Sequence, residues 1–221
     1  MGYNSPMIRL ILALAVFLVP LSARADYFVW QDPDSGLTAS FPDTWNVVHN
    51  QKPGDVLTII APSANDQPIC KIRVTEDRRY VIFPPEYGRD VQKVAVSYPF
   101  WQKYLGEYDG YNLYRVYDGA GFGRWHASYA LASYTTHSGT VIQQRRGIMF
   151  ASLYNDKLYI LECSSLSHAY ERWAGQFQDI VKSVDFKKAY HEKVTGEYAD
   201  FLNDAQLYFW SQTGPDGTVG Y

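Results

Sequence analysis

Cys70 and Cys163 have the widest chemical reach of any residues in this 221-residue chain. A thiolate is a nucleophile and a metal ligand, whereas two thiols in an oxidising compartment become a bridge. Each cysteine sits in a run that alternates as a strand does. In ICKIRV, Cys70 shares a face with Ile72 and Val74, and in LYILEC, Cys163 shares one with Tyr159 and Leu161. If both faces turn to one core, a disulfide closes a long loop, worth about 4 to 5 kcal/mol in the chain-entropy account. Two buried free thiols are the alternative. Were Cys163 free and partly exposed, His168, five positions on, would be its nearest imidazole in sequence, the pairing a thiol hydrolase needs.

The stretch DGAGFGRWHASYALASY sets Gly119, Gly121 and Gly123 just ahead of Trp125 and His126. A phosphate cradle needs a strand before its glycines and a helix after them, so that backbone N–H groups point at the anion. The residues after these glycines have period two instead, with Trp125, Ala127, Tyr129 and Leu131 against His126, Ser128 and Ala130. The loop also lacks a lysine. A hairpin turn whose glycines take positive φ is the expectation.

The remaining polar candidates are scattered. His49, His126, His137, His168 and His191 show no spacing of two to four residues that would set two metal ligands on one strand or helix. No glycine-x-serine-x-glycine elbow occurs. Glu107 with Asp109, and Asp200 with Asp204, read as solvated faces. These patterns imply no catalytic residue, metal or cofactor.

Aromatic density is the feature left over. Tyr104, Tyr108, Tyr111, Tyr114, Tyr117, Phe122, Trp125, Tyr129 and Tyr134 crowd one region. Such side chains stack on sugar rings or anchor a protein partner, because they bury large area with a polar tip. Tyr114, Tyr117, Phe122 and Trp125, on either side of the glycines, form the candidate binding surface. A sheet face half open to water is the plainer reading of the same residues. Arg145 and Arg146 point to opposite faces of the next strand, so at most one of them can flank that surface.

The elements that must position these residues are mostly strands. YFVWQD, LTASF, NVVH, VLTIIA and ICKIRVTED are separated by turn signals and read as hairpins. Helical spacing comes next, with Val91, Val94, Ala95, Tyr98, Trp101 and Leu105 in register, and Pro99 argues for a kink or two short helices. The β pattern resumes in YNLYRVYD, GRWHASYALASYTT, TVIQQRRGIMFASLYN and KLYILECSS, most simply an antiparallel meander. A helix from about Ser167, its expected N-cap, to Val184 carries the stripe Tyr170, Trp173, Ala174, Phe177, Ile180, Val181 and Val184. The tail has a further candidate helix with Val194, Tyr198, Phe201, Leu202 and Ala205 on one face. Strands in blocks with helices between them predict an α+β domain, a mostly antiparallel sheet with helices packed on it.

The first residues read as a secretory leader. Arg9 precedes the twelve-residue apolar run LILALAVFLVPL, and Ala23-Arg24-Ala25 fits a cleavage site before Asp26. The run is shorter than the roughly 20 residues a bilayer span needs, so no membrane span is expected after cleavage. The expected organisation is a leader (1–25), one domain (26–186), and a C-terminal helix with a loose tail (187–221). The formal net charge of −3, more acidic once Arg9 and Arg24 are removed, argues against nonspecific nucleic-acid binding.

The order of elements resembles the PsbP-like fold, shared by bacterial envelope proteins of the DcrB type. SFPDTW is similar to the family's turn after the first hairpin, KLYILECSS to its last long strand, and AYERWAGQFQDIVKSVDF to its closing helix and final short strand. The resemblance covers roughly residues 27–186 and implies an α/β/α sandwich used for binding and accessory roles. The expectation is a periplasmic or secreted, non-catalytic domain with a protein or glycan partner in the cell envelope. The alternative is a periplasmic hydrolase built on Cys163 and His168 or on a metal.

Overall fold

The structure, a computed structural model, describes residues 26–49, 52–82 and 87–188. Residues 1–25, expected to be a leader, and residues 189–221 of the expected tail, with its candidate helix, His191, Asp200 and Asp204, lie outside the described residues. Ten strands and four α-helices run along the described chain: β1 (Tyr27–Asp32), β2 (Leu37–Pro42), β3 (Asn46–Val47), β4 (Asp55–Ile60), β5 (Ile69–Glu76), α1 (Arg79–Ile82), α2 (Gly88–Ala95), α3 (Tyr98–Leu105), β6 (Tyr111–Phe122), β7 (Trp125–Ser138), β8 (Val141–Tyr154), β9 (Lys157–Leu166), α4 (Tyr170–Ser183) and β10 (Asp185–Phe186).

Seven strands form one antiparallel sheet in the order β3-β4-β5-β9-β8-β7-β6. The run β6 to β9 is the expected meander, and β9 joins it to the earlier strands by pairing with β5. A smaller sheet, β1-β2-β10, lies apart from it. The α+β class is therefore present. Alternation along the long strands sends successive side chains to opposite faces, and each face has its own core. On one face Ile59, Ile72, Leu161 and Phe150 meet Phe177 and Ile180 of α4 and Leu37, Phe41 and Phe186 of the small sheet. On the other, Ala132, Met149, Ala151 and Ile160 meet Trp101 and Leu105 of α3 and Ala95 of α2.

The break at Pro99 yields two helices, with proline in the first turn of α3, where its missing N–H has no intrahelical partner to lose. Two buried polar side chains tie this helical layer to the sheet. Gln92 donates to the carbonyl of Leu153 and accepts from its N–H at 3.0 Å, and Trp101 Nε1 donates to Ser128 Oγ at 2.7 Å.

Two local expectations need correction. Ser167 does not cap α4. It lies in a 3-10 turn, Ser167–Ala169, and Ala169 precedes the helix without a side-chain cap. Ala169 and Tyr170 are both buried, and that packing outweighs the ~1 kcal/mol a serine cap contributes. The glycines are not all in a turn either. Strand β6 runs through Gly119 and Gly121, because Ala120 and Phe122 are buried and keep the pairing going. The turn is Gly123-Arg124. Gly123 has φ +60°, and a Cβ there would sit 2.6 Å from the Phe186 ring.

Candidate functional site

On the first face of the long sheet a covalent bond joins two neighbouring strands. Cys70 and Cys163 lie directly opposite on β5 and β9 and form a disulfide across 93 positions of sequence. Both are fully buried beneath α4. The thiol-hydrolase alternative is thereby corrected, since Cys163 carries no thiolate in the bridge. His168 stands away from it, two-thirds exposed, with Nε2 3.9 Å from Asp66. That carboxylate instead serves the helix. It accepts from Trp173 Nε1 at 2.9 Å and Arg172 Nη2 at 2.7 Å, and the two donors hold it below its ordinary pKa.

On the opposite face of the same strand, one residue before the cysteine, Glu162 is 1% exposed. A charge there is tolerated only when its oxygens are occupied. Three phenols occupy them: Tyr104 of α3 donates at 2.7 Å, Tyr108 of the loop after α3 donates at 2.8 Å, and Tyr134 of β7 donates as well. Lys71 on β5 adds a cation 3.6 Å away. Burial pushes the Glu162 carboxyl up, but Lys71 and the three phenols together outweigh it and hold the group below its ordinary value. Burial, and then the Glu162 charge, push the three phenols well up, so each stays a neutral donor. The Tyr108 and Tyr134 rings stack with centroids 4.1 Å apart. Glu162 and Lys71 together carry no net charge, and the carboxylate at the centre is hydrogen-bonded to three phenols and shielded from water, while Lys71 stays partly exposed.

Beside it the sheet opens into a cleft of about 720 Å³ between β4, the segment Ala61–Pro68, β5 and the start of β8. Lys71, Tyr108, Tyr134 and Arg145 line it together. Arg145 is 7% exposed. Its Nε and Nη2 donate to Ser164 Oγ at 3.2 Å, and Nη2 also reaches the Gln67 carbonyl at 2.7 Å. Arg73, further along β5, is spent elsewhere: its Nε bonds Asp55 at 3.1 Å and its guanidinium lies over the Tyr104 ring.

The structure divides the aromatic surface expected from the sequence. Tyr114 and Tyr117 are exposed by 42% and 44% on β6, the outermost strand. The Tyr114 hydroxyl lies 2.8 Å from Ser133 Oγ, and the Tyr117 ring leans on Tyr129. Phe122 is a correction: it is 2% exposed, packed edge-on against Phe186 and against Phe150, so it belongs to the core and not to a surface. Two positions along β6 from buried Ala120, it shares that residue's inward face. Trp125 is half-buried and touches both cores. Arg145 and Arg146 do point to opposite faces, and it is Arg145 that reaches the cleft.

Glu107 pairs with Lys52 at 3.5 Å and Arg73 at 3.7 Å, and Asp109 pairs with His137 at 3.0 Å, which accounts for that acidic pair. Among the described residues, no group of three His, Cys, Asp or Glu side chains is placed to hold a metal ion. No helix among them is long and apolar enough to cross a membrane. Sequence reasoning missed Glu162 and Lys71. The signal was present as the single acid Glu162 in the apolar run LYILEC and as Lys71 and Arg73 at alternate positions of ICKIRV.

No family model and no curated protein matches the chain. Among solved structures, it is similar to the solution structure of cyanobacterial PsbP (CyanoP) from Synechocystis sp. PCC 6803, at 12% identity and a TM-score of 0.47, over 74% of this chain and 94% of that one. It is similar to LpqN, involved in cell envelope biogenesis of Mycobacterium tuberculosis, at 12% identity and a TM-score of 0.42, over 74% of this chain and 91% of that one. The Saccharomyces cerevisiae Ran-binding protein Mog1p is similar at 7% identity and a TM-score of 0.44, over 73% and 96%. Likeness at this level concerns the path of the chain and nothing of function.

Proposed function

We propose that this chain is an exported, non-catalytic binding domain that acts in the cell envelope through a protein or glycan partner. Two features support the compartment: the leader-like first residues and the disulfide at the centre of the sheet, a bond that persists in oxidising compartments. The observation that carries the binding reading is the pair Tyr114 and Tyr117, nearly half exposed on an outer strand. An edge strand also presents unpaired backbone groups to a partner. Rigid, half-exposed tyrosines of this kind contribute contact area at low entropic cost. Trp125, half-buried beside them, contributes less.

Fractionation of cells under thiol-trapping conditions tests the compartment. The account expects the protein outside the cytoplasm, with neither cysteine alkylated before reduction. A cytoplasmic protein with two trapped thiols would overturn it.

A further inference from the structure

We propose that the cleft beside Glu162 is a binding site for a small amphipathic anion, a carboxylate or phosphate head on an apolar body. The head is placed by charge. Lys71 and Arg145 both line the cleft, and no acidic residue lines it among the described residues. The nearby Glu162 carboxylate cancels one of these cations at most, and its oxygens are taken by three phenols.

Arg145 is the decisive residue. It is nine-tenths buried, yet no carboxylate pairs with it among the described residues; its neutral partners are Ser164 and the Gln67 carbonyl. Those bonds use Nε and Nη2, leaving Nη1 without a protein partner among the described residues. An arginine this buried normally has an anionic partner, and its remaining donors suit a carboxylate or phosphate oxygen. Ser63 and Thr136 add hydroxyl donors at the rim.

The body is placed by the wall opposite. Ile60, Ala61, Pro62 and Ile69 give the cleft a mainly apolar lining on the β4 side. A volume of about 720 Å³ falls in the range that holds small ligands. A free inorganic anion would leave that wall unused, and a neutral glycan would leave Arg145 uncompensated. This site is separate from the tyrosines of β6 and does not depend on them.

The test is calorimetric titration of the disulfide-bonded protein with decyl phosphate and with decanoate below their micelle concentrations. Decyl maltoside and inorganic phosphate are the comparison probes. Arg145 also holds the turn at Gln67, so its loss risks the fold; A64E places a carboxylate at the exposed rim without touching a core residue. The expected result is that both anionic amphiphiles bind, that each comparison probe binds at least about tenfold more weakly, and that A64E weakens the anions by about tenfold or more. Absence of binding, a neutral or inorganic probe within tenfold, or an A64E effect below tenfold overturns the proposal. Flotation with phosphatidylglycerol vesicles separates the two sources of such an anion. Wild type that floats while A64E does not assigns a membrane lipid, and wild type that stays behind while binding decanoate assigns a free amphiphile.

Discussion

The two tyrosine groups of this domain share a residue type and almost nothing else. Tyr104, Tyr108 and Tyr134 converge on the Glu162 carboxylate, with every phenol spent on a buried charge. Tyr114 and Tyr117 stand on the outer strand β6 with more than two-fifths of their surface open. The first group is part of what holds the helical layer to the sheet, because Tyr104 and Tyr108 come from α3 and its exit loop while Glu162 comes from β9. The second faces water, and it is the surface proposed above for a partner. Aromatic density is thus one sequence signal with two physical causes, told apart by whether a buried acceptor lies within reach.

The difference makes graded predictions. The largest effect belongs to the opposite face. Replacing both cysteines by alanine is expected to cost about 4 to 5 kcal/mol, as the 93-position span is released in the unfolded chain. Urea denaturation measures it, and an effect under about 1 kcal/mol would place the stability elsewhere.

Next is Glu162→Ala, which strands three buried phenols and Lys71 and is expected to cost about 3 to 5 kcal/mol. The same carboxylate sets an acid limit. Its pKa is depressed in the folded state, so its contribution is fully present above the ordinary value of 4.5 and is lost as pH falls through the folded one. Denaturation midpoints should therefore drop on acidification below about 4.5. The drop should flatten in Glu162→Gln.

Tyr134→Phe removes one donor and keeps the ring, for an expected loss of about 1.5 to 3 kcal/mol, the range for a hydrogen bond to a charged group. The double change Tyr114→Ala, Tyr117→Ala should move stability by only about 0.5 kcal/mol per site. A large loss there, equal to that of Tyr134→Phe, would erase the distinction between the two groups.

Much of the frame was legible in the sequence. Alternation placed Cys70 and Cys163 on strands and left open whether their faces share one core, which the bridge between them answers. The spacing broken at Pro99 called for a kink or two short helices, of which the structure has the second. The α+β class came from that order. The glycine stretch was legible as a turn but not in its extent, because burial of Ala120 and Phe122 is a tertiary fact that no local preference reports. For the same reason Phe122 looked like a surface residue among other aromatics. Glu162 was hidden by its company. A single acid in LYILEC reads as one solvent-facing position of a strand, and only the arrival of α3 over that face turns it inward. Arg145 was recognised as reaching one face alone, but the cleft it enters is walled by residues far apart in sequence, from Ile60 and Lys71 to Tyr108 and Tyr134.

The central claim is that the open tyrosines, not the buried ones, carry the partner. Site-specific photocrosslinking in the native host tests it most directly, with the photoreactive residue placed at 117 in one strain and at the somewhat more exposed position 87, just before α2, in another. The account predicts a discrete adduct from position 117 and none from position 87. Adducts of equal yield from both positions, or none from position 117, would contradict it.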